Sequence, residues 1–227
     1  MRIIAHRGAS GSKPENTLIA FQKAVELGVE MMELDVHLCK TGELAVIHDA
    51  RVNRTTNGQG FVSHKTLSQL RELDAGKGEK IPTLQEVFAL VKGKTKIDIE
   101  LKGKGVVTQT VKLIKHQIKS KNLTAGDIII SSFHHHQLKE FHALMPEVPI
   151  GILYKRHPAG YKKLAGELQA SSIILSIKHI NEKRIQEIHQ NGLQVWIYTV
   201  NSMEDFEKMK AMGVDAVFTN YPERFIS

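Results

Sequence analysis

Four short apolar runs carry residue types that are costly to bury and able to do chemistry. IIAHRG (3–8) holds His6 and Arg7; MMELDVHL (31–38) holds Glu33, Asp35 and His37; LAVIHDA (44–50) holds His48; KIDIELKG (96–103) holds Asp98, Glu100 and Lys102. In an extended chain, successive side chains point to opposite faces. Glu33, Asp35 and His37 therefore share one face, opposite Met32, Leu34 and Val36, and Asp98, Glu100 and Lys102 share one face opposite Ile97, Ile99 and Leu101. Buried charges need partners or a metal. Converging carboxylates at Glu33, Asp35 and Glu100 would raise one another's pKa unless a cation neutralised them. An all-oxygen shell suits one divalent cation, Mg²⁺ or Ca²⁺, and also admits Mn²⁺, whereas zinc more often recruits histidine or cysteine. Arg7 and Lys102 bring positive charge to the same place, suited to an anionic, phosphate-like group. His6 and His48, with side chains that titrate near neutrality, are suited to acid–base work beside that group.

The elements that must position these residues follow from the rest of the pattern. Nine runs have strand character: 3–6, 31–35, 44–48, 96–101, 127–131, 149–153, 171–175, 194–199 and 215–218. Most are separated by segments of helical period, such as PENTLIAFQKAVELG with Leu18, Phe21, Ala24 and Val25 on one stripe, and several of these end at a capping glycine. Such alternation predicts a mainly parallel sheet covered by helices. The second and third runs are joined only by VHLCKTGE, and a parallel crossover needs about a dozen residues or more. That link is therefore a hairpin turning at KTGE, with Asp35 expected opposite His48. Setting the returning arm aside leaves eight parallel strands in 227 residues, the count of an α/β fold of the (β/α)₈ TIM-barrel type. The competing doubly wound sheet has no GxGxxG after the first strand to support it. Residues 51–80 break the rhythm and read as a small insertion after the early β-hairpin, above one end of the barrel. In a barrel the apolar faces meet the outer helices. The charged faces then point into the mouth at the C-terminal strand ends, where barrel active sites are built.

The composition fits a single domain spanning 1–227, with 41% hydrophobic and 24% charged residues. A formal charge of +7 invites nucleic acid, but the lysines are scattered over amphipathic segments without aromatic interleaving. They read as a solvated basic surface, and the expected partner is a small anionic molecule rather than nucleic acid. The one cysteine, Cys39, rules out an internal disulfide framework and suits a reducing compartment. The apolar stretch in MRIIAHRGAS is too short for a signal-peptide core and nothing approaches a membrane span, so the expectation is a cytoplasmic protein without stable membrane insertion.

Further stretches carry a specific resemblance: AHRGASG and PENT within 5–17, ELDVHLCKTGELAVIHD (33–49), NRTTNGQG (53–60), IPTLQEV (81–87), IDIELK (97–102), SSF (131–133), VWIYTVN (195–201) and GVDAVFTNYPE (213–223). In number, order and spacing they resemble the glycerophosphodiester phosphodiesterase family, of the bacterial cytoplasmic type, over essentially the whole length. The resemblance implies a (β/α)₈ barrel that hydrolyses deacylated phospholipid diesters, such as glycerophosphocholine or glycerophosphoethanolamine, to sn-glycerol 3-phosphate and an alcohol. It implies His6 and His48 as the catalytic histidines, and Glu33, Asp35 and Glu100 as holders of the divalent metal. Arg7 and Lys102 would contact the phosphate, and Trp196 would line the substrate pocket. The hairpin has LCKTG where LTKDG is usual, Asn53 replaces an aspartate, and Lys13 stands where a small or apolar residue is commoner. None of these touches the catalytic set, so they bear on substrate preference.

Two alternatives stand beside this reading. A lysophospholipase D would need an apolar groove at the mouth. A catalytically inactive barrel used for binding would be expected to have lost a metal carboxylate or a catalytic histidine, and all five are present. Other candidates carry less signal. The run His134, His135, His136 follows a strand, but consecutive residues do not share a face; His134 is the one expected near the cleft. His37 faces the site by parity and is expected to donate to a metal carboxylate. His64, His116, His142, His157, His179 and His189 lie in surface-like segments.

Overall fold

Short runs rich in isoleucine, valine and leucine form nine strands in a computed structural model that describes residues 1–226 apart from 157 and 159. In chain order the elements are β1 (Arg2–Ala5), α1 (Leu18–Glu26), β2 (Met31–Leu38), β3 (Leu44–Val46), α2 (Leu67–Glu72), α3 (Leu84–Val91), β4 (Lys96–Leu101), α4 (Val106–Lys119), β5 (Ile128–Ser132), α5 (His135–Leu144), β6 (Ile150–Tyr154), α6 (Tyr161–Leu168), β7 (Ser172–Ser176), α7 (Glu182–His189), β8 (Gln194–Tyr198), α8 (Met203–Ala211) and β9 (Ala216–Thr219). His157 lies outside the described residues. Helix starts are written locally. Thr83 caps α3 and receives Glu86 in return, Thr66 and Gln69 do the same for α2, and Asn181 and Ser202 cap α7 and α8.

The sheet runs β1-β9-β8-β7-β6-β5-β4-β2-β3 and closes through a parallel pairing of β1 with β2. Eight strands are thus parallel and form a closed barrel. β3 is an antiparallel arm on β2 outside the ring, as the short link required. The register of that arm differs from expectation by one residue. Val36 pairs with Val46 and Leu38 with Leu44, so Asp35 lies opposite Ile47, whose N–H donates to the Asp35 carbonyl at 3.0 Å. The turn is centred on Thr41 rather than between Thr41 and Gly42, with the Gly42 N–H donating to the Cys39 carbonyl at a backbone φ of +95°. His48 therefore lies past the last pair of the arm, where the chain leaves the hairpin.

The apolar faces of the strands and the inner faces of the helices form the main core, with Leu34, Val36, Ile97, Ile99, Phe21 and Phe88 fully buried. A second cluster, including Ile4, Met31, Ile174, Trp196 and Phe218, fills the barrel interior. A third joins Ala45 and Ile47 of the hairpin to Val52, Val62, Leu70 and Ile81, which fixes the 51–80 segment over the mouth. Among the described residues, no helix is long and apolar enough to cross a membrane.

Candidate active site

The mouth is assembled from strand ends and the loops that follow them. β1 ends in a turn where Arg7 and Gly8 both take left-handed backbone, at φ +56° and +77°. A side chain at Gly8 would stand 2.7 Å from the carbonyl carbon of Ala20, so only glycine lets α1 approach this closely. The turn aims the Arg7 N–H at Glu33 Oε2 (2.9 Å) and brings its Nε to 3.4 Å from Asp35 Oδ2.

Glu33 and Asp35 on β2 and Glu100 on β4 are all buried, and each offers an oxygen within 4.8 Å of the others. Asp35 pairs in register with Glu100 and Glu33 with Asp98 one step deeper, so two adjacent strands bring the three carboxylates together. Burial and the Asp35 charge push the Glu33 carboxyl well above the usual carboxylate range, and the same two causes lift Glu100 to about 8. Burial works upward on Asp35 too, but Lys102, Arg7 and His48 outweigh it and hold the carboxyl low. The Asn16 amide donates to Asp35 Oδ2 at 2.9 Å, while buried Asp35 Oδ1 has no hydrogen-bond partner. Arg7 and Lys102 neutralise this cluster only in part, with Lys102 Nζ 3.5 Å from Asp35 Oδ1, and three buried carboxylates converging on one point fit a hard divalent cation.

The two histidines face this cluster with different support. His6 Nδ1 donates to Asn220 Oδ1 at 2.7 Å, which leaves Nε2 as an acceptor 4.0 Å from Glu33 Oε2. Burial and the adjacent Arg7 charge push its imidazole down to about 4, so it is neutral at pH 7. His48 Nδ1 donates to Asp49 Oδ1 at 2.6 Å, and its Nε2 accepts from Lys102 Nζ at 3.0 Å. Lys102 also donates to Glu100 Oε1 at 2.9 Å. The cleft so formed, a cavity of about 120 Å³, is lined by His6, Arg7, Glu33, His48, Glu100 and Lys102 with Asp98, Ser131, Phe133, Leu153, Tyr198 and Phe218, and Asp35 lies behind it.

All seven polar residues singled out from the sequence (His6, Arg7, Glu33, Asp35, His48, Glu100 and Lys102) thus meet at the mouth. Trp196 does not line the cleft. It is 2% exposed in the barrel interior against Phe218, and its indole N–H donates to Gln194 Oε1 at 2.9 Å. It faces inward but sits too deep to reach the mouth. Tyr198, two residues further along the same face, takes the place at the mouth. His37 donates from Nε2 to the His48 carbonyl at 3.0 Å, so it positions His48 instead of a carboxylate. Phe133, just before the histidine run, forms the cleft wall in the place expected of His134, which does not line the cleft, and His135 Nε2 donates to the Leu153 carbonyl at 2.9 Å.

Several supporting residues escaped the sequence reading. Arg54 in the insertion bonds both Asp49 Oδ2 (2.7 Å) and Glu15 (2.8 Å), and Glu15 also receives Arg7 (2.8 Å). One polar chain therefore links the His48 side of the mouth to Arg7 and Asp35. NRTT was legible as a motif, but nothing local said which acids its arginine would meet. Asn220, in TNYPE, reaches His6 only because β9 closes on β1.

Fold and mouth together define a barrel hydrolase of phosphate esters. The sequence profile of the glycerophosphoryl diester phosphodiesterase family matches residues 6–224, and the chain belongs to that family. A glycerophosphodiester phosphodiesterase of Caldanaerobacter subterraneus subsp. tengcongensis is 41% identical over 235 residues, covering 99% of this chain and 96% of that protein. One from Bacillus altitudinis is 36% identical over 245 residues, covering 99% and 96%. The structure of an Oleispira antarctica phosphodiesterase in complex with the product sn-glycerol-3-phosphate matches with a TM-score of 0.91 at 29% identity, covering 99% of this chain and 94% of that one.

Proposed function

We propose that this chain hydrolyses glycerophosphodiesters, such as glycerophosphocholine or glycerophosphoethanolamine, to sn-glycerol 3-phosphate and an alcohol, using His6 and His48 as a divided base and acid. The observation that carries this reading is a buried carboxylate trio flanked by two histidines with opposite support, one on a neutral amide and one on a carboxylate. Glu33, Asp35 and Glu100 would hold the cation, Mg²⁺ or Ca²⁺ and with Mn²⁺ as a substitute, which when bound supplies Lewis-acid charge to a non-bridging phosphate oxygen.

The chain's own residues do the rest. Arg7 and Lys102 bind the remaining phosphate charge and orient it. His6, neutral and with Nε2 free to accept, takes the proton of the glycerol hydroxyl next to the phosphoester as its oxygen attacks phosphorus. For the acid role His48 must be protonated at Nε2, with Lys102 turned from that nitrogen to the phosphate; the phosphorus–alcohol bond then breaks, the departing oxygen takes the Nε2 proton, and Asp49 supports the imidazolium through Nδ1. Water then opens the cyclic phosphate with the two histidines in exchanged roles. In the test, purified protein is given glycerophosphocholine and sn-glycerol 3-phosphate is read with a coupled dehydrogenase. Release that stops with EDTA and returns with Mg²⁺, Ca²⁺ or Mn²⁺ is the expected result. Absence of release with all three ions would overturn the reading, and full turnover in chelated enzyme would overturn the metal assignment.

A further inference from the structure

Asp98 is the one acid of the mouth without a role so far. It lies on β4 between Ile97 and Ile99, fully buried, and both of its carboxyl oxygens lack a hydrogen-bond partner. Ser131 on the neighbouring strand β5 is 1% exposed; its hydroxyl faces the Asp98 carboxyl and favours its charged form, yet neither group makes a hydrogen bond of ordinary length. Both residues line the cleft. Register puts Ser131 beside Glu100 at the upper carboxylate level and Asp98 beside Glu33 at the lower one. The apolar groups at this depth are Leu153 and Phe218. Buried polar groups are nearly always paired, and an unpaired one usually marks a place where a ligand or water completes the set. Here two such groups border the cavity that receives substrate.

We propose that Asp98 and Ser131 form the subsite for the terminal hydroxyl of the glycerol moiety, so that glycerol points down into the barrel and the variable alcohol faces the rim. The inference rests on the function given above. Every glycerophosphodiester shares the glycerol, and a fixed, fully buried pair of hydrogen-bonding groups over an apolar floor matches an invariant fragment with a hydroxyl at the end of a carbon chain. The alcohols differ in size and charge, and the rim beside Phe133 is open, with exposed Lys155 near that ring. In this pose the terminal hydroxyl donates to the Asp98 carboxyl with Ser131 Oγ alongside. The inner hydroxyl is left between phosphorus and His6. Asp98 and Ser131 are then specificity residues that touch substrate but exchange no proton with the reacting atoms.

The test is calorimetric binding to Mg²⁺-loaded protein of three phosphates: sn-glycerol 3-phosphate, propane-1,2-diol 1-phosphate, which lacks only the terminal hydroxyl, and O-phosphoethanolamine. Wild type is expected to favour glycerol phosphate over the propanediol ester by about tenfold or more, the usual worth of a hydrogen bond to a charged group. D98A and S131A should each lose most of that preference while the propanediol ester binds as before and metal content stays the same. Equal weakening of all three ligands would show that Asp98 acts only through the cation. Loss confined to phosphoethanolamine would show that the alcohol, not glycerol, occupies the floor. Either result, or an unchanged preference, overturns the proposal. Should D98A fail to fold, S131A decides alone, since removing one hydroxyl leaves the barrel packing intact. Wild type that binds glycerol phosphate in this manner yet releases none from diesters would count against the function and not against the subsite.

Discussion

Replacing Asp49 with asparagine isolates the charge behind His48. Asp49 Oδ1 lies 2.6 Å from His48 Nδ1, and the two side chains are about 30% exposed. The amide oxygen of the D49N variant keeps an acceptor for His48, so that hydrogen bond survives without its charge; the Arg54 bond to Oδ2 is lost, but Glu15 still holds Arg54. At an effective dielectric of about 40, between the near-surface value and bulk water, unit charges about 4 Å apart attract by about 2 kcal/mol. If His48 is protonated while the alcohol leaves, D49N should lower kcat/KM for glycerophosphocholine by about 30-fold. H48A should lower it by about 10²–10⁴-fold, the worth of a positioned proton-transfer group. A nitrophenyl diester with an intact glycerol side expels a much weaker base and needs little protonation. On it, D49N and H48A should both recover most of their rate, while H6A stays impaired. Recovery of H6A in place of the other two would exchange the roles of the histidines. Equal impairment of all three variants on both substrates, with metal content unchanged, would remove the divided acid–base model.

Other consequences follow from the supporting structure. The Arg54 guanidinium and His48 hold the Asp49 carboxyl below the usual carboxylate range, and Arg54 and Arg7 outweigh burial to hold Glu15 low. Depressed carboxyls stabilise the fold above their unfolded-state pKa and lose that contribution as pH falls through the folded value. R54M should therefore lower Tm at neutral pH and flatten its acid dependence below about pH 5; a Tm–pH curve parallel to wild type would contradict this. G8A places a Cβ 2.7 Å from Ala20 backbone at a φ of +77°. The left-handed penalty and the overpacking together should cost about 2–5 kcal/mol in chemical denaturation, and a loss below about 1 kcal/mol would mean the turn relaxes.

What the sequence determined by itself was everything that depends on period and count. Alternation placed Glu33, Asp35, Glu100 and Lys102 on inward faces, because a strand's side chains must alternate whatever surrounds it. The short link after β2 forced a hairpin, and subtracting its arm left the eight strands of a barrel. Depth, register and partnership were decided only by the closed structure. The family resemblance pointed to Trp196 as a pocket residue, but how far each strand is staggered along the barrel decides whether an inward residue reaches the mouth, and Tyr198 reaches it instead. A half-residue shift of the turn centre at Thr41 moved the Asp35 partner from His48 to Ile47, since a hairpin's register follows its turn geometry. Asn220 stands 214 residues from His6 in the chain and 2.7 Å from it in space, because the last strand must pair with the first for the barrel to close. The same closure leaves Asp98 and Ser131 without partners: each residue type is ordinary in its strand, and only the cavity they share makes the pair a site.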